Sequence, residues 1–230
     1  MRPPRPVTVA FCPQPPLLLP AVAGVPSTAL SLVWAAVDAA VQTVLEDRPE
    51  VVVVVGDGAD GVRFGPGDAG DLRGYGVDLE LPFAGRVRPG GRRVPLPHLV
   101  GAWLLDHAGH IGTRLGVGPE DLASALTDVP GPVGVLAMGD GSARRSEKAP
   151  GALDPAAGPF DAEVARALAA GDAGALAALD PGEGARLLAA GVPVWRAVGA
   201  ALAGRPVEAR LLADDAPFGV GYLVGTWRTR

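Results

Sequence analysis

Acidic residues stand where apolar runs give out. Asp57 follows Val51–Val55, Asp140 follows Val133–Met138, and the Asp214–Asp215 pair follows Val207–Leu212. If these runs are strands ending at one sheet edge, the carboxylates could converge, where they would hold a hard cation or act as general acid and base. Taken singly, each also suits a turn or a helix cap. Gln14, the one polar side chain in Cys12-Pro13-Gln14-Pro15-Pro16, would join them from the end of an opening strand. Ser142 places a hydroxyl two residues past Asp140, but no histidine nearby completes a nucleophilic triad. Gly56-Asp57-Gly58 and Gly139-Asp140-Gly141 are the nearest thing to an internal repeat.

Three further patterns lead away from a conventional site. Gly56-Asp57-Gly58-Ala59-Asp60-Gly61 has the spacing of a dinucleotide loop, with Asp78 or Glu80 near the expected acidic position. That mechanism needs a helix N-terminus against the pyrophosphate. Gly65, Pro66, Gly67 and Gly70 oppose a helix here, and Asp57 and Asp60 would repel phosphate. His107 and His110 have helical spacing suited to a metal, yet no third ligand stands close, and a helix end equally suits a histidine. Cys12, the lone cysteine, forms no intrachain disulfide and among prolines reads as buried rather than reactive.

The elements that must position these residues alternate. Val7–Phe11 reads as a strand, stopped by the proline series. Ser27 can cap a helix reaching Leu45, with Leu30, Val33, Trp34, Val37, Val41, Val44 and Leu45 on one face. Val51–Val55, β-branched throughout with no polar alternation, reads as a strand buried on both faces, as in parallel sheets. Residues 56–76 read as a long surface loop, and Val77–Leu81 as a half-exposed strand. The spacing predicts a helix over 99–115 with Leu99, Trp103, Leu104 and Ile111 inward, and a short helix from Glu120 to Leu126. Val133–Met138 is the central strand. Helices follow over 161–170, 173–179, 183–190 and 194–203, and last strands over Val207–Leu212 and Gly219–Gly225. The expected fold is a single α/β domain over residues 1–230, with a mainly parallel central sheet and helices on both faces.

Composition narrows the partners. The chain has 230 residues and a formal charge of −5, with Lys148 its only lysine and no basic cluster, which argues against a nucleic-acid surface. Arg2 and Arg5 precede an apolar stretch as in a signal peptide, but Pro13, Pro15, Pro16 and Pro20 interrupt it, so no targeting signal is expected. No sequence run approaches the roughly 18 apolar residues of a membrane span. A soluble, cytoplasmic protein is expected, with no membrane partner.

Three stretches carry a likeness. Cys12-Pro13-Gln14-Pro15-Pro16-Leu17-Leu18, then Gly139–Arg145 with Lys148–Gly151 and Phe160-Asp161, then Ala216–Tyr222, together resemble the class III extradiol ring-cleavage dioxygenase superfamily. Its members include the catalytic subunit of protocatechuate 4,5-dioxygenase and the Memo proteins, and the likeness is to its alanine-rich actinobacterial branch. The resemblance covers nearly the whole chain and implies a non-haem Fe(II) held by two histidines and a carboxylate, with a further histidine as acid/base. The first ligand position falls on Gln14, the second at Asp57-Gly58, the acid/base on Ala143, and the carboxylate near Asp214 or Asp215.

Those substitutions alter the chemistry the resemblance implies. Gln14 offers a weak neutral oxygen, while Gly58 and Ala143 offer no ligand or base. The expectation is a dioxygenase-like protein whose cleft holds Asp140, Asp57, Gln14 and Ser142. Asp214 and Asp215 are its only metal candidates, and no cofactor is expected. Fe(II) or another divalent ion would need an unconventional site. The alternative is a non-catalytic, Memo-like binding or scaffold protein that receives a small molecule in the same cleft.

Overall fold

The computed structural model describes residues 5–24, 28–59, 61–129 and 131–230; Arg2, Ser27 and Asp60 lie outside them. The β-branched run Val51–Val55 forms β2, and Val133–Met138 forms β6 beside it in parallel register, Val55 opposite Ala137. Strand β1 (Val7–Cys12) lies parallel on the other side of β6, Cys12 opposite Met138. Pro13 and Pro15 lack the N–H groups that would extend it. Strand β8 (Tyr222–Thr229) is antiparallel to β1, and β7 (Val207–Asp215) closes the far edge antiparallel to β8. With β5 (Thr113–Val117) beside β2, the sheet runs β5-β2-β6-β1-β8-β7 and is mainly parallel.

Helices cover both faces, the α/β architecture expected. Helix α1 (Pro20–Ala23) is a short turn before α2 (Ser31–Glu46), which enters through a 3-10 turn at Thr28–Leu30. With α3 (Leu96–His107), α2 fills one core, Val33, Val37 and Val41 meeting Val52, Val54 and Leu136. By length and composition the segment Thr28–Glu46 could cross a membrane, a match the sequence reading did not anticipate. Its apolar face packs on the sheet. The opposite face carries α4 (Leu122–Asp128), α5 (Ala157–Ala170), α6 (Ala173–Ala177) and α8 (Val192–Ala201), with α7 (Pro181–Arg186) against α8. Here Val53, Val135 and Phe11 meet Phe160, Val164, Trp195 and Trp227.

Several local expectations change, and the last strand runs over Tyr222–Thr229 rather than Gly219–Gly225. The helix over 99–115 stops at His107, and Thr113–Val117 is a strand; Ile111, expected inward, is fully exposed. Arg114 is accommodated within this strand. Its buried guanidinium donates to the carbonyls of Ala102 and His110 and to Asp106, supplying the polar partners that a charged strand residue needs. The stretch 56–76 is not a free loop: β3 (Ala69–Asp71) pairs with β4 (Glu80–Pro82), which replaces the strand expected from Val77. Buried Asp68 anchors it, accepting the main-chain N–H groups of Gly65 and Arg92. Asp214 and Asp215 lie in β7 itself, not in the turn after it.

Candidate functional site

Strands β1, β2, β5 and β6 all end at one edge, where β8 begins, and in open α/β sheets ligands bind beyond such an edge. Two of the expected site residues meet there directly. The Gln14 main-chain N–H donates to Asp140 Oδ1 at 2.8 Å, joining the proline loop after β1 to the loop after β6. Asp140 is half-buried, and that burial, against the pull of the Gln14 N–H, pushes its carboxyl up to about 7. Tyr222, buried beside it, has its phenol pushed up by burial and by the Asp140 charge. The Gln14 side-chain Oε1 is buried with no hydrogen-bond partner. The edge therefore carries an acid that changes charge near neutral pH, beside an unsatisfied neutral acceptor.

The loop after β6 is locked by a residue that pattern reading did not single out for chemistry. Asp161 lies inside α5, fully buried, where it accepts the Ser142 N–H at 2.9 Å and pairs with Arg145 at 2.8 Å. Burial pushes its carboxyl up; the Ser142 N–H and Arg145 oppose this, and the nearby Asp214 charge adds to it. Gly141 and Gly221 make room: a Cβ on either would come within 2.8 or 2.1 Å of the Asp161 carboxylate. Ser142 takes a structural part in this loop. Its buried hydroxyl donates to the Leu187 carbonyl at 2.7 Å and accepts the Arg144 N–H, so it holds a loop and is not presented to a substrate.

Asp57 sits at the same edge but in a different setting. It is exposed, its Oδ1 accepting only the adjacent Gly58 N–H, and it borders a cavity of about 560 Å³ with the segment from Pro181 to Arg196. Behind it lies His98, which sequence reading did not use. Its Nε2 is 2.8 Å from the Val117 carbonyl, and because a carbonyl only accepts, the proton belongs on Nε2. That leaves Nδ1 bare and buried, and burial holds the imidazole neutral down to about 4. The other histidines do not pair as ligands. His107 stacks on Trp103 with ring centroids 4.9 Å apart and meets Trp34 edge-on, while His110 Nε2 is buried without a partner. Cys12 is fully buried, its thiol pushed up to about 12, an inert state.

The donor set does not fit an Fe(II) site. Among the described residues no three His, Cys, Asp or Glu side chains gather to hold an ion. Ala143 supplies only a main-chain carbonyl, used by Gly151 N–H. Asp214 and Asp215, the metal candidates, are exposed on the edge strand β7, four strands from the β2 position that should supply the second ligand. At roughly 4.8 Å per strand that is about 19 Å, too far to share an ion. The carboxylate between the Gln14 and Asp57-Gly58 positions is Asp140, in the loop after the intervening strand β6. No protein-family model matches the chain, and no curated protein matches it significantly.

Proposed function

We propose that the chain is a small-molecule-binding relative of the class III extradiol dioxygenases that has exchanged Fe(II) chemistry for a metal-free, protonatable cleft. The observation that carries this reading is the Gln14–Asp140 contact. It joins two of the three stretches that carry the resemblance, the Gln14 main-chain N–H donating to the Asp140 carboxylate. Asp140 would exchange a proton with a bound ligand, since a carboxyl near 7 is half ionised at neutral pH. Gln14 Oε1, unsatisfied while buried, would accept from a ligand hydroxyl or amine. Neither nucleic acid nor membrane is a partner in this reading, and the protein acts in the cytoplasm.

Purified protein incubated anaerobically with Fe(II), then desalted, is expected to retain far less than one equivalent of iron and to give no ring-fission product from protocatechuate or catechol. Stoichiometric iron with ring fission would reverse the proposal.

A further inference from the structure

The cavity beside Asp57 has a composition that defines its occupant. Small or apolar residues make most of its wall: Pro181, Gly184 and Ala185 from α7, Leu188–Ala190 from the connector, and Val192 and Pro193 from α8. Among the described residues only two side chains in the lining are charged, Asp57 and Arg196, and neither has an ionic partner there. Asp57 accepts the N–H of its neighbour Gly58, and Arg196 donates one Nη to the Leu179 carbonyl, leaving the rest of its guanidinium fork open. About 560 Å³ is the size of a small-molecule site.

The cavity is also held in shape. Leu188 adopts a left-handed backbone, φ 55°, which costs a leucine energy and persists only where its surroundings impose it. They do so through the loop after β6. Ser142 Oγ grips the Leu187 carbonyl at 2.7 Å, and the Gly191 N–H donates to the Asp140 carbonyl at 2.8 Å. Gly191 packs so closely on Gly139 that a Cβ on Gly139 would lie 2.3 Å from its Cα. The connector that forms one wall is thus fastened to the central strand, and a preformed wall lowers the ordering cost of binding.

We infer that this cavity binds a small zwitterionic molecule with an apolar body, its amine on Asp57 and its carboxylate on Arg196. An apolar wall alone would accept any hydrophobe; a carboxylate and a guanidinium in the lining, without ionic partners among the described residues, select a molecule carrying both charges. A carboxylate can take two parallel N–H donors from an arginine, and an ammonium matches the carboxylate of Asp57. The inference rests on reading the sheet edge as a ligand cleft, but it does not depend on dioxygenase descent.

The test uses three probes with the full-length protein in calorimetry: 4-(2-aminoethyl)benzoate, with both charges on one ring, 2-phenylethylamine, lacking the carboxylate, and 4-ethylbenzoate, lacking the amine. The zwitterion is expected to bind at least tenfold tighter than either analogue. Asp57→Asn should remove its advantage over 4-ethylbenzoate, and Arg196→Gln its advantage over 2-phenylethylamine. Asp57 is exposed and holds only its neighbour, so the asparagine variant stays folded if Arg196→Gln does not. No saturable binding, equal binding of the three, or an advantage untouched by Asp57→Asn overturns the inference. Failure here with metal still absent from the protein leaves the proposed function standing. Success here in a protein that takes up iron and cleaves rings leaves the cavity and removes the metal-free reading.

Discussion

The same tripeptide ends two neighbouring parallel strands and meets two different fates. Gly139-Asp140-Gly141 is sealed: Gly191 presses on its first glycine, the buried Asp161 carboxylate on its last, and Asp140 holds the Gln14 N–H. Gly56-Asp57-Gly58 is open. Its first glycine abuts Pro97 and His98, but Gly58 turns outward at φ 81° and Asp57 faces solvent and the cavity. What packs over a strand end, rather than its local sequence, decides whether an aspartate is buried with a raised pKa or left facing solvent. Sealing raises the Asp140 pKa by removing water; openness leaves Asp57 available to a ligand.

The contrast can be broken hardest at the seal. Asp161→Ala would leave the Arg145 guanidinium unpaired and the Ser142 N–H without its acceptor. The expected loss is about 3–5 kcal/mol in denaturant unfolding, the range for one partner of a buried pair. A loss below about 1 kcal/mol would mean the seal does not hold the loop.

A smaller effect, opposite in sign, is expected at Asp140. Its folded carboxyl titrates at about 7 against roughly 3.9 in the unfolded chain, so the folded state binds the proton more tightly. That contribution is complete below about pH 4, declines as pH rises to 7, and is gone above it. Asparagine keeps the acceptor for the Gln14 N–H without the charge. Asp140→Asn should therefore match wild type near pH 4 and exceed it at pH 8. Three pKa units correspond to about 4 kcal/mol; with residual water at the half-buried site we expect about 1–2, or roughly 3–6 °C in Tm. A difference between the two proteins that does not change with pH would remove Asp140 as the neutral-range acid.

The smallest effect belongs to the open loop. Asp57→Asn should change stability by no more than about 0.5 kcal/mol, because the exposed carboxylate has no ionic partner to lose among the described residues. A larger loss would mean that this loop, too, is sealed.

Pattern alone revealed β1, β2 and β6 because a strand buried on both faces writes a nearly continuous apolar run, and the pattern missed β5 because a charged residue, Arg114, stands inside it. Gln14 and Asp140 were legible for the same reason: each follows a strand whose ending is marked by proline or glycine. Asp161 was not, since its role depends on a helix carrying it back over a loop 19 residues earlier. The available signal was Gly141 and Gly221, two glycines that leave space for one carboxylate. His98 was hidden likewise, on a helix whose start at Leu96 places it against Gly56 and Val117. Asp214 and Asp215 looked like ligands in sequence because strand order is invisible there, and only the sheet shows β7 at the far edge.

The most direct test restores what the edge lacks. Gln14→His with Gly58→His places two imidazoles on loops flanking Asp140, at an expected cost of about 1 kcal/mol for the left-handed position 58. Anaerobic calorimetry with Fe(II) should show no saturable uptake by wild type and one equivalent bound by the folded double variant, with a metal-dependent rise in Tm. Stoichiometric binding by wild type would contradict the metal-free cleft, and a folded double variant that binds nothing would contradict the convergence of these loops on a former metal position.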